Sequence, residues 1–513
     1  MTTKNIIHFI IAGLLCCGAA AALTACQQAK VPANYTDSRT EADIYPDYRD
    51  VTIPVNIAPL HFELMTAADE TVTRFSGGGT EIVCEGQKAM PDISDWRELA
   101  DKTKGDKITV EVFARRQGEW TRYRPFNIYV SPDSIDPWLS FRLISPSYVT
   151  FEELTINQRC LENYEERVIY NNMLCTTEAD GQCINCHNYQ RGDPQRMQFH
   201  ARLSHGGTMI CYDGQLKKVN LKNDSTISAG VYPAWHPTLP LIAYSTNSTM
   251  QMFHIRDLNK IEVLDSRSDL VLYDIERNEV SNVQALKDEF EIFPHWSPDG
   301  QYLYYGSAHF EKMDTVSDES AVIGRYKEIK YNIYRRHFDA QNMTFGEREM
   351  VFDAAGQGLS ATLPRVSPDG RWLLLSVGEW GCFHIWHRDA DLWLVDLKDE
   401  GESTSTFNAR PFTEVNSPDV EAYHTWSTNG RWIVFSSRRD DGNYTRPFFA
   451  HVDKDGHATK PFELPADDPD YHRQLMKSYN IPELMTGPVT ITPQQFADVL
   501  KKDATPAKWK NGK

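Results

Sequence analysis

The sequence predicts a mainly β protein: a β-propeller of about six blades, preceded by a small β-sandwich-like domain. Three observations carry that expectation. Four segments, residues 232–245, 293–307, 363–376 and 422–437, repeat one pattern. In each, a short strand ends near Trp or Val, a tight polar turn follows, and an alternating apolar strand comes next. The turns Pro298-Asp299-Gly300, Pro368-Asp369-Gly370 and Thr428-Asn429-Gly430 have hairpin chemistry, because Gly takes the positive φ such turns need. Trp235, Trp296 and Trp426 share one register with Val366, at spacings of 61, 70 and 60 residues. A compact blade takes roughly 40–45 residues, so these spacings imply long inserted loops.

Between the turns, residues 269–274 and 391–396 read as outer strands, and weaker strands at 207–221 and 446–464 raise the blade number above four. The propeller is expected over residues 206–465, with a tail over 466–513. Upstream, runs at 55–64, 107–115 and 123–130 read as strands, the last two flanking a turn at Gln117-Gly118-Glu119-Trp120. They predict the sandwich-like domain, of immunoglobulin type, over residues 46–150. An extra blade with irregular wrapping is the alternative.

At 513 residues the chain is too long for one hydrophobic core, and its 41% hydrophobic content suffices for several. The net charge of −18 argues against nucleic acid, whose phosphates demand a basic face, and gives no polybasic route to a membrane. The first 25 residues read as a signal peptide: Lys4 precedes a mostly apolar stretch from Ile6 to Leu23. It closes on Leu23-Thr24-Ala25-Cys26, which resembles the lipobox of bacterial lipoproteins. That resemblance implies cleavage before Cys26, acylation of its thiol, and a polar tether over residues 26–45. No later stretch reaches the roughly 18 apolar residues of a membrane-spanning helix.

The chemistry is concentrated at Cys183-Ile184-Asn185-Cys186-His187, within a segment spanning residues 151–205. Two thiols three residues apart can add to the two vinyl groups on one porphyrin edge, and the adjacent imidazole then reaches the iron. The reading is one covalent haem c held by Cys183, Cys186 and His187. A thioredoxin-like redox pair lacks its βαβ context. A structural zinc lacks a second C-x-x-C, and a plain disulfide remains the other alternative. Met197 and His200 are the favoured sixth iron ligands, with His205, Met476 and Met485 behind them, and Arg202 is a candidate partner for a propionate. Cys84, Cys160, Cys175, Cys211 and Cys382 remain, an odd number, with Cys160 and Cys175 close enough in sequence to bridge. In the propeller, Ala234, His295, Arg365 and Thr425 share a register before the turn, and His295, Arg365 and His424 are candidates to line the channel mouth. His384 and His387 are read as opposite faces of a strand, which disfavours a metal site there.

The W-S-P-D-G turns and the strand at 391–397 resemble the TolB-like family of β-propellers over roughly the second half of the chain. The stretches 381–397 and 423–451 resemble envelope TolB-like proteins that also carry a haem motif. The resemblance implies a cell-envelope lipoprotein, anchored on the periplasmic face of the outer membrane. Two functions follow from it. One is electron transfer to an envelope redox partner, with the propeller as docking platform. The other is a TolB-like binding or scaffold protein, in which the haem is accessory or sensory or the C-x-x-C is a disulfide. A redox carrier or binding protein is favoured over a catalyst, since no G-x-S-x-G elbow and no second cofactor cluster is visible. The anchoring expectation is checked by labelling with a clickable fatty acid: the wild type should be marked and Cys26→Ser should not, and equal labelling of both would refute it.

Overall fold

The computed structural model describes residues 29–145, 153–177, 179–283, 286–312, 315–400 and 407–510. Cys26 lies outside the described residues. The protein is mainly β, and most of its strands fall into six four-stranded units. The first runs through Gln182–Gln190, Asp193–Leu203, Gly207–Tyr212 and Gln215–Asn220. The second runs through Val231–Trp235, Leu241–Phe253, Ile261–Asp274 and Glu279–Asn282. The third comprises Glu289–Trp296, Tyr302–His309, Asn332–Asp339 and Thr344–Phe352, joined to the second through the single pairing of Ser268 with Phe290. The fourth holds Ser360–Val366, Trp372–Gly378, Asp391–Glu400 and Phe407–Pro411. The fifth holds Glu421–Trp426, Trp432–Ser437, Arg446–His451 and Phe462–Glu463.

The sixth unit is assembled from both ends of the described chain. Its inner strand, Ser478–Met485, pairs antiparallel with Trp138–Ile144, which is followed outward by Thr155–Cys160 and Glu166–Asn171. The sheets therefore depart from the expected boundaries. Trp138–Ile144 leaves the 46–150 domain, the 151–205 segment is divided between two units, and the 466–513 tail supplies an inner strand. The physical reason is that an antiparallel sheet needs no adjacency in sequence, only a partner edge of matching pattern.

The six inner strands share one irregularity. Each has a register shift at its middle, and within or beside it a non-glycine residue has positive φ: Cys186 (58°), Tyr232 (51°), Phe293 (53°), Leu363 (55°), Tyr423 (48°) and Ile481 (53°). A bulge re-aims the side chains that follow it. Left-handed backbone at bulky residues costs of order 1–3 kcal/mol each, so its recurrence marks a conformation over-determined by its surroundings.

The repeated turn has a common chemistry. Ser297 Oγ donates to Asp299 Oδ1 at 2.5 Å and accepts from the Tyr302 amide at 2.9 Å. The same pair of bonds recurs at Ser367 and at Ser427. The register tryptophans tie neighbouring units: Trp296 Nε1 donates to Ala234 O and Trp426 Nε1 to Arg365 O, both at 3.1 Å. Apolar clusters fill the seams between successive units, that between the fifth and sixth being continuous with the core of the amino-terminal region. Trp235, Ile242 and Ile210 lie between the first and second, and Trp372, Trp426 and Ile433 between the fourth and fifth. The inner strand Ser478–Met485 neighbours both Glu421–Trp426 and Gln182–Gln190.

The amino-terminal region is a seven-stranded sheet that shares a core with a three-stranded sheet and the helix Ile93–Lys102. Two of its pairings are parallel, Thr36–Glu41 with Glu119–Arg124 and Phe126–Ser131 with Thr52–Pro54, which departs from the antiparallel immunoglobulin arrangement. Its core, around Phe75 and Trp96, runs on into Trp432, Phe449 and Tyr479 of the fifth and sixth units. At the other end of the chain, the helix Pro493–Leu500 starts with a capping box between Thr492 and Gln495 and buries Phe496 and Leu500 against the first and sixth units. Thr505–Pro506 and Lys508–Trp509 then pair with the outer strands of the first and second units. A chain ending at Leu475 lacks the inner strand of the sixth unit and exposes the edge of Trp138–Ile144. It is expected to aggregate or to lose its cooperative melt by circular dichroism, and a soluble monomer melting like the full chain would refute this role of the strand.

Candidate functional site

The bulge sets which side chains meet. Two residues after each positive-φ position stand Asn188, Ala234, His295, Arg365, Thr425 and Glu483, one from each unit, and all line one cavity of about 350 Å3. The volume is in the range of small-molecule sites. Arg365 reaches two other units within the cavity: its Nη2 lies 3.6 Å from Glu483 Oε1 and its Nη1 3.4 Å from His295 Nδ1. Asn188 Nδ2 donates to Glu483 Oε1 at 3.1 Å, and Thr425 Oγ1 reaches Glu483 Oε2 at 3.5 Å. Burial pushes the Glu483 carboxyl above its ordinary value, against the pull of Arg365, Asn188 and Thr425. Burial, with Arg365 and His424 adding to it, drives His295 well below the ordinary imidazole value, so it is neutral.

The expected channel residues are thus met in part. His295 and Arg365 line the cavity, and His424 does not. Asn188 and Glu483 were missed. Their signal was the register itself, since Ile481-Pro482-Glu483-Leu484 repeats the pattern of Phe293-Pro294-His295-Trp296.

The C-x-x-C-H segment forms the inner strand of the first unit. His187 occupies the register position held by Pro233, Pro294, Pro364, His424 and Pro482 in the other units. Both histidines sit in seams. His424 Nε2 lies 3.1 Å from Leu374 O, and the carbonyls of Leu374 and Leu363 face its ring. Those of Ser140 and Ile481, at the equivalent positions, face His187. Burial drives His187 down to about 3, with Arg142 acting the same way and the two carbonyls opposing. Neither ring nitrogen of His187 makes a hydrogen bond of good geometry.

Cys183 and Cys186 are unbridged, as are Cys160 and Cys175, so the bridge left open for the latter pair by their spacing is not formed. Cys175 instead lies 2.8 Å from the Tyr170 hydroxyl, while Cys160 sits opposite Trp138. The donor set of two thiols and a neutral imidazole has the chemistry of a haem attachment site, but the space does not. The cavity at Cys186 and His187 is about 40 Å3, room for a few water molecules, so a porphyrin does not fit the strand as folded.

The proposed sixth ligands are placed by the strand Asp193–Leu203. Met197 lies opposite Tyr189, fully buried in the apolar seam with Trp138, Ile156 and Phe199. His200 lies opposite Asn185 with its Nδ1 3.0 Å from Thr208 Oγ1. Met476 is exposed and Met485 is buried beside Trp138. Arg202 lies opposite Cys183 and pulls the Cys186 thiol down against the effect of burial. His384 stands in a short 3-10 turn rather than a strand, with His387 at its end. His387 Nε2 bonds Glu262 at 2.9 Å, and no group of three metal-binding side chains occurs among the described residues.

No family model matches the chain, and no curated protein does. Among solved structures, it is similar to one from an analysis of two prolyl endopeptidases, at 13% identity over 64% of this chain and 42% of that one, TM-score 0.33. Kuenenia stuttgartiensis hydrazine synthase matches at 12% identity over 54% and 65%, TM-score 0.32. A Synechocystis apocarotenoid oxygenase mutant matches at 12% over 85% and 95%, TM-score 0.34. The chain spans less than two thirds of the first two. These likenesses fix neither family nor activity.

The seam histidines generate a prediction. Burial holds His424 down at about 3, against an ordinary 6.5. Below 6.5 the unfolded chain binds the proton and the folded one does not, so stability falls as pH drops from about 6.5 toward 3. In urea unfolding, His424→Gln should show a midpoint that declines less steeply over that window than the wild type; an identical decline would contradict the assignment.

Proposed function

We propose that the six units form one closed six-bladed propeller of TolB-like kind, lipid-anchored at Cys26 in the cell envelope, and that it works as a binding platform whose site is the axial cavity. Closure is supported by the neighbouring of Ser478–Met485 with the inner strands of the fifth and first units, and by a core in every seam. Sewing the ring shut with strands from both ends of the chain leaves fewer free edges. The observation that carries the binding reading is the convergence of one side chain per unit on a 350 Å3 cavity, with a charged pair, Arg365 and Glu483, kept inside it. Buried charge is costly, and in a cleft it marks functional sites.

A second reading rests on a different observation. The buried, neutral His187 has no hydrogen bond on either nitrogen and lies beside two unbridged thiols. On this reading a c-type haem is attached to Cys183 and Cys186, the residues of Gln182–Gln190 give up their place in the sheet, and the protein exchanges electrons with an envelope partner.

Two measurements on mature protein, made with haem-attachment machinery present, separate the readings. The binding reading expects the bare polypeptide mass after denaturation. It also expects saturable thermal stabilisation by at least one compound of a small-molecule set, abolished in Ala234→Leu, where the ring is narrowed. A denatured mass carrying one haem, with a stained band on a gel for haem peroxidase activity, would establish the second reading instead.

A further inference from the structure

The contacts of Arg365 point to the chemistry of the axial ligand. A guanidinium carries five donors in a fixed fork, and a charge-assisted bond to a carboxylate runs at roughly 2.7–2.9 Å. Arg365 has two polar side-chain neighbours in the ring, at 3.6 Å and 3.4 Å, and neither is a bond of that kind. Glu483 has a closer partner, the neutral Asn188 amide at 3.1 Å. The acid of the pair is served by the protein, and the base keeps its donors for something else.

We propose that the axial cavity takes a small organic carboxylate with a flat apolar body, its carboxylate held by Arg365; this rests on the binding-platform reading. A monoanion places one negative charge near Glu483, 3.6 Å from the same guanidinium, and a dianion would place two there. A dianion such as a phosphate monoester is disfavoured by that repulsion. A cationic ligand finds Glu483 already bonded by Asn188 and Thr425 and meets the like charge of Arg365. His295, held below the ordinary imidazole value by burial and by Arg365, brings no second positive charge to the cavity. The body of the ligand meets the apolar part of the lining, where Trp235, Trp296, Trp426, Pro233, Pro237 and Pro368 contribute. Rings of this kind take flat partners by stacking and edge contacts.

Isothermal titration calorimetry on the mature chain with sodium benzoate and its uncharged counterpart benzamide tests the proposal. Benzoate should bind saturably and benzamide at least about tenfold more weakly, the loss expected for a charged hydrogen bond. Arg365→Gln should weaken benzoate by about tenfold or more and leave benzamide unchanged. Glu483→Gln removes the competing carboxylate and should tighten benzoate severalfold, which keeps the test decisive if Arg365→Gln does not fold. Equal affinity for the two compounds, an unchanged benzoate affinity in Arg365→Gln, or an unchanged or weaker one in Glu483→Gln would overturn the carboxylate and leave the axial site standing. Failure of both compounds to bind the wild type would overturn the flat carboxylate, while the axial site itself stands or falls by the thermal stabilisation screen.

Discussion

The pairing of Ser478–Met485 with Trp138–Ile144 is the contact on which the rest of the structure depends. It joins segments more than three hundred residues apart, from Trp138 paired with Met485 to Ile144 paired with Ser478. The entropy of closing so long a loop grows only slowly with its length, and the contact is supported by a core shared with the helix Pro493–Leu500. Without it, the strand Gln182–Gln190 would lose one of its neighbours, and Glu483 would not stand across from Arg365. The same strand covers an edge that would otherwise offer unpaired amides and carbonyls. Architecture and site are therefore set by one pairing.

Four of the six units were legible because tryptophan or valine at one register, a tight polar turn and an apolar strand mark them in sequence. The other two lack that mark for separate reasons. In the first unit, Cys186-His187-Asn188-Tyr189 carries the bulge, and the hairpin at Arg191 and Gly192 replaces the longer turn. Both residues have positive φ, the chemistry of a two-residue hairpin, so a signal was present in another form. In the sixth unit, Ile481-Pro482-Glu483 has no strand after it to complete a hairpin, because its partner lies far upstream. Pattern reading follows local sequence, and a sheet assembled from distant segments leaves no local trace. The sequence placed Cys183, Cys186 and His187 side by side. That His187 shares its register with four prolines and His424 became visible only once the bulges were aligned.

The C-x-x-C-H segment meets two demands at once. As an inner strand it needs alternation, a bulge and a seam-filling residue, and Ile184, Cys186 and His187 meet these with full burial. As a haem site it would need an open face for a porphyrin, and the 40 Å3 cavity does not offer one. The two uses compete for the same backbone, since the strand's ladder bonds to Asp193–Leu203 are lost if the segment leaves the sheet. Its neighbours favour the sheet. Gln198 donates to the carbonyl of Cys186, Tyr189 donates to Ser140 Oγ at 2.8 Å, and Arg142 donates to the Ile184 carbonyl at 3.0 Å. The strand that carries this five-letter motif is thus held in place by residues on two other strands, Asp193–Leu203 and Trp138–Ile144.

The axial ring follows from the same economy of position. A cavity lined by six strands takes one side chain from each at this level, so its chemistry is set by six letters. Four of them are polar and neutral or small, which suits a wet channel. The remaining two are an arginine and a glutamate from the fourth and sixth units, each too costly to bury without the other. If their purpose were only mutual neutralisation, a short, bidentate contact would serve it best. Their 3.6 Å separation forgoes that gain, while Asn188 takes the place beside Glu483 that the guanidinium leaves. A cation balanced in charge but not in hydrogen bonds is poised to accept an anion, and the neutral amide beside Glu483 lets it do so without leaving that carboxylate bare.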